Sequence, residues 1–70
     1  FATARRLGTA IFAASGVPGS MKARAAMVVA TAFAQEASTD RALDWYRNAL
    51  RYEPNNARIR QAIIDLGGTP

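Results

Sequence analysis

The chain has no cysteine and no histidine. The first absence rules out disulfides and thiolate chemistry, and the second removes the imidazole that general-base and many metal sites depend on. Neither settles compartment, because secreted helical proteins also go without cysteine; that stays open, tilting toward the cytoplasm. Acidic residues are missing from the first half, where nothing negative precedes Glu36. Long apolar runs are missing too. The stretch from Leu7 to Val17 falls short of the roughly 20 residues that cross a bilayer.

These gaps leave little room for catalysis. Ser, Thr and Tyr hydroxyls have only Lys22 or a carboxylate as a base, and no spacing arranges them. Asp40 and Asp44 lie one helical turn apart, but at a helix start they read as solvated complements to the dipole, with no third metal ligand nearby. The segment Gly16-Val17-Pro18-Gly19-Ser20-Met21-Lys22 faintly resembles a phosphate loop. It lacks the Gly-Lys-Ser/Thr ending and a preceding strand, and Pro18 removes a backbone donor, so it reads as a linker. The expectation is a non-enzymatic chain with no cofactor and no metal.

What is present is alanine-rich and half apolar over 70 residues, with a net charge of +4. Arg5, Arg6, Lys22 and Arg24 carry the excess, since the second half balances five basic residues against five acidic ones. Such asymmetry suits an anionic membrane, a phosphate-rich partner or an acidic protein. Four scattered cations without interleaved aromatics are a poor nucleic-acid footprint, so nucleic acid is disfavoured. Arg5, Arg6 and Lys22 are the expected basic surface.

Four helices are expected. The first runs from Phe1 to Ala14, with Leu7, Ala10, Ile11 and Ala14 on its apolar face and Phe12 off it. Two arginines, an apolar run and small residues also give residues 1–20 a faint likeness to a targeting segment. The Ser15–Ser20 stretch is the linker. A second helix follows from about Met21 to Ala37, capped by Ser20 and greasy on more than one side. The third starts at Ser38 or Thr39, buries Leu43, Trp45, Tyr46, Ala49 and Leu50, pairs Asp44 with Arg47, and stops at Pro54. Asn56 caps a fourth helix to about Leu66, with Ile59, Ala62, Ile63 and Leu66 inward, and Gly67-Gly68 ends it.

Ala42, Tyr46, Ala49 and Pro54 stand in the register of the second helix of a tetratricopeptide repeat. The first-helix slots fall on Ala26, Val29, Ala30 and Phe33, with Ala26 replacing the expected Trp. Residues Ala23 to Asn56 thus resemble one such repeat. Small residues at Ala30, Ala42 and Ala49 would let two helix axes approach, with Phe33 and Tyr46 filling the space beside them. The last helix departs from the pattern, having Ile64 in a small-residue slot and Gly67 in an aromatic one. It resembles a capping helix.

The resemblance implies an all-α fold: a tetratricopeptide-like antiparallel hairpin and C-terminal capping helix over residues 21–70. A separate, loosely tethered basic helix with its Gly/Pro linker occupies residues 1–20. It also implies a protein-binding wall made by Arg24, Met27, Val28, Thr31 and Gln35. Relatives that clamp a carboxylate use Lys and Asn there, so these residues would instead receive an apolar helix or strand. A thin alanine core and a single repeat need a partner or neighbouring repeats for stability. Starting at Phe1, the chain reads as a trimmed fragment or a subunit of a larger assembly, not a stable isolated monomer. The expected function is a protein–protein interaction scaffold. The alternative is an accessory subunit docking residues 1–14 on a membrane complex or anionic surface.

Overall fold

The computed structural model describes residues 2–69, which fold into four α-helices: α1 (Ala2–Ala13), α2 (Gly19–Gln35), α3 (Thr39–Tyr52) and α4 (Ala57–Asp65). Phe1, expected in the first helix, lies outside the described residues. Packing follows chain order, α1 on α2, α2 on α3 and α3 on α4. The result is a slab 14 Å in its thinnest dimension. Side-chain contacts fix the directions. Arg5 near the start of α1 meets Glu36 just beyond α2, and Lys22 near the start of α2 lies over Tyr52 at the end of α3. Helix α2 is therefore antiparallel to both neighbours.

Alanine makes the α2–α3 contact possible. Ala23, Ala26 and Ala30 on one side and Ala42 and Ala49 on the other are all fully buried, and Tyr46 is buried between the helices. Without bulk beyond Cβ at these points the two backbones come close, and Tyr46 fills the remaining space. Its hydroxyl lies 3.0 Å from Thr31 Oγ1, so the one polar atom of this filler reaches a partner at the edge of the contact. Half-buried Phe33, Leu43, Trp45 and Leu50 surround this cluster. Ile59 and Ile63 bring α4 onto it, and with Val29 they are the largest fully buried side chains. The interior holds no buried polar residue among those described.

Helix ends follow local chemistry. Asn56 Oδ1 accepts from the Arg58 and Ile59 N–H groups, as expected of a cap. The expected Ser20 cap does not form, because α2 begins two residues earlier than expected, at Gly19, and Ser20 lies inside the helix. Pro18 takes the capping position, and its carbonyl accepts from the Met21 and Lys22 N–H groups, both at 3.0 Å. Proline with extended ψ 149° ahead of Gly19 starts the helix from the backbone alone. Helix α2 also ends two residues before Ala37. There Ala37 turns into the left-handed region at φ 61°, the Ala37 N–H donates to the Ala34 carbonyl and the Ser38 N–H to the Phe33 carbonyl. These two bonds satisfy carbonyls that the helix leaves open. At α4 the same pair of bonds forms with Gly67 at φ 87°.

The first helix corrects two expectations. It is not separate: Gly8 is buried against α2, where a Cβ would come 2.9 Å from the Ala25 carbonyl oxygen. Its packed face is also not the apolar stripe. Arg5, Gly8 and Phe12 turn inward, while Leu7 and Ile11 are 61% and 40% exposed. Phe12, expected off the buried face, packs edge-on against Trp45 at 5.2 Å and Tyr52 at 5.7 Å between ring centroids. Close approach at a glycine and three interlocking aromatics outweigh burial of two aliphatic side chains.

Candidate functional site

Helix α2 forms the floor of an open groove of about 610 Å³. All five residues expected to make a binding wall line it: Arg24, Met27, Val28, Thr31 and Gln35. Their positions, spaced three, one, three and four residues apart, cover one broad face of a helix, so the helical repeat alone brings them together. Met27 is half-buried against the α2–α3 core, and Val28 is 44% exposed. Thr31 is held by Tyr46 from behind.

Sequence reasoning missed the opposite rim. Glu53, Asn56 and Arg58, at the turn into α4, complete the groove. The Asn56 amide donates to Glu53 Oε1 at 3.1 Å while its oxygen caps α4, which fixes the carboxylate at the rim. Arg24 and Arg58 bring positive charge to the groove, and Glu53 the negative charge. Pro54 and the cap at Asn56 marked a turn here, but nothing local told that this turn faces α2.

A second, smaller depression of about 350 Å³ runs between α1 and α2. Its lining includes Leu7 and Ile11 from α1, Met21 and Val28 from α2, and Gly8 and Ala25. It shares Ala4, Arg24 and Val28 with the α2 groove, so the two are continuous. Leu7, Ile11, Met21 and Val28 are four of the six exposed large apolar side chains among the described residues. Scattered singly they would need no explanation; gathered, they form a surface suited to contact. Periodicity gave no signal for it, because the approach of α1 to α2 at Gly8 is a contact between distant parts of the chain.

The expected basic surface does not form one patch. Arg5 is half-buried, with Nε 3.0 Å from Glu36 Oε2 in an ion pair whose N–H is not aligned for a hydrogen bond. Its guanidinium also stacks over the Phe33 ring at 4.9 Å, which Arg41 approaches from α3 at 5.7 Å. Arg5 is thus a joint between helices α1 and α2. Lys22 lies 5.8 Å over the Tyr52 ring, away from any phosphate cradle. Arg6 is exposed.

Among the described residues no three His, Cys, Asp or Glu side chains gather to hold a metal, and no helix is long and apolar enough to cross a membrane. Asp44 meets Arg47 at 3.9 Å on the wet side of α3. Compared with protein-family models, curated proteins and solved structures, the chain finds no match.

Proposed function

We propose that this chain is a non-enzymatic protein–protein interaction module, in which α2 and α3 act as one tetratricopeptide-like repeat and α4 as its capping helix. The observation that carries the proposal is the groove over α2. The five side chains that the repeat register assigns to a binding wall line one concavity, bounded by α1 on one side and the turn before α4 on the other. Burial supports the register itself. Ala26, Val29, Ala30, Ala42, Tyr46 and Ala49 are buried, and Phe33 is half-buried beside them.

A mixed lining of Met, Val and Thr with arginines at the rim suits a peptide that contributes apolar side chains to the floor. Binding energy would come from burying that floor, at about 25 cal/mol per Å² before ordering costs. The rim charges would orient the ligand.

Selecting ligands from a random peptide library on the immobilised chain tests this reading. Enriched peptides are expected to lose binding when Met27→Ser and Gln35→Ala are combined in a variant that keeps its circular dichroism. Enriched peptides indifferent to that change would remove the reading.

A second reading has one observation in its favour: Leu7 and Ile11 face solvent with exposed Arg6 beside them. That arrangement is compatible with an accessory subunit laying α1 on a membrane complex or anionic surface.

A further inference from the structure

We infer that the valley between α1 and α2 receives an amphipathic helix of a partner protein whose apolar ridge is flanked by carboxylates. This rests on the reading of the chain as a protein-interaction module, and it assigns a second contact surface with a defined chemistry. The shape comes first. Because Gly8 brings α1 against Ala25 and Val29, the valley is shallow, floored by Gly8 and Ala25 and banked by Leu7 and Ile11 on one side and Met21 and Val28 on the other. Leu7 and Ile11 are one helical turn apart, about 6 Å along the axis, and Met21 and Val28 two turns, about 10 Å. Two banks of that length match side chains spaced i, i+3 and i+7 on an incoming helix.

Other occupants fit less well. A flat bilayer would touch the banks and leave the floor uncovered. An extended strand needs unpaired main-chain groups along an edge, and the valley is walled by two helices whose backbones bond internally.

Charge names the partner further. Among the described residues no acidic side chain lines the valley, whereas Arg24 does. The sequence offers no acid before Glu36, and Glu36 is already paired with Arg5. The charge on the valley lining is therefore positive, and carboxylates along the edge of an apolar helix complement it. A second copy of this chain would bring the Arg24 of each valley toward an equally positive surface in a symmetric pairing, which disfavours self-association here.

The test uses two synthetic helical peptides with leucines at i, i+3 and i+7, one flanked by Glu and the other by Lys, titrated into the ¹⁵N-labelled chain. The Glu peptide is expected to shift the amide signals of Leu7, Ile11, Met21 and Val28, and the Lys peptide to bind about tenfold more weakly. Leu7→Gln with Ile11→Gln should weaken the Glu peptide about tenfold, and Arg24→Gln about threefold with a flatter salt dependence. Leu7 and Ile11 face solvent, so the double variant is expected to stay folded; Met21→Gln provides the same reading from the other bank.

Equal binding of both peptides, or indifference to the Gln variants, overturns the proposal. It also fails if vesicles containing phosphatidylglycerol move these signals and the Glu peptide does not, which would assign the surface to lipid. Shifts confined to Met27, Thr31 and Gln35 would remove the valley and leave the α2 groove standing. No shift in either set, together with library peptides indifferent to Met27 and Gln35, would remove both.

Discussion

Gly8 of α1 and Val29 of α2 are so close that a Cβ added to Gly8 would lie 2.5 Å from Val29 Cγ2. This contact, more than hydrophobic periodicity, sets which way α1 faces. It leaves Leu7 and Ile11 outside and draws Phe12 to Trp45 and Tyr52.

Gly8→Ala tests the contact by its sign. Helix propensity alone favours alanine by roughly 0.5–1 kcal/mol. The overpacking against Val29 and the Ala25 carbonyl works the other way and costs about 1–3 kcal/mol. Net destabilisation in urea unfolding is expected, partly relieved by Val29→Ala in the same chain. A more stable Gly8→Ala would mean that α1 does not pack as described.

Ala37→Gly is expected to stabilise. Ala37 occupies the left-handed region at φ 61°, where an L side chain costs about 1–2 kcal/mol and glycine does not. The bonds from Ala37 and Ser38 to the end of α2 stay available. For a domain of this size about 1 kcal/mol raises Tm by roughly 4–8 °C, readable by calorimetry. A lower Tm would argue against the left-handed turn.

Tyr46→Phe removes the partner of Thr31 while keeping the ring in the α2–α3 core. A loss of about 0.5–1.5 kcal/mol is expected. Thr31→Val should cost a comparable amount, with the double variant costing less than the sum of the two. Strict additivity in the cycle would show that the two oxygens do not interact.

Ala49→Trp places a large ring where the side chain is fully buried between helices. Severe loss of helical content is expected, because overpacking a contact built on alanine leaves no alternative rotamer space. Unchanged circular dichroism and melting would refute the close approach of α2 and α3.

The α2–α3–α4 portion was legible because its signals are local. Small residues recur at Ala26, Ala30, Ala42 and Ala49, Pro54 stops a helix, and Asn56 caps the next. The groove wall followed, since helical geometry alone puts Arg24, Met27, Val28, Thr31 and Gln35 on one face. What could not be read was non-local. Periodicity records which residues are apolar, not which backbone comes near, so the face carrying Gly8 lost to the stripe of Leu7 and Ile11. Arg5 likewise looked like free surface charge because its partners, Phe33 and Glu36, come from the distant C-terminal end of α2 and the residue just beyond it.

Amide chemical-shift mapping of the ¹⁵N-labelled chain with a library-selected peptide tests directly whether the α2 groove is the binding surface. Shifts are expected to concentrate at Arg24, Met27, Val28, Thr31 and Gln35, with smaller ones at Glu53, Asn56 and Arg58 across the groove. Shifts concentrated on the outer faces of α3 and α4, with those five signals unmoved, would contradict it.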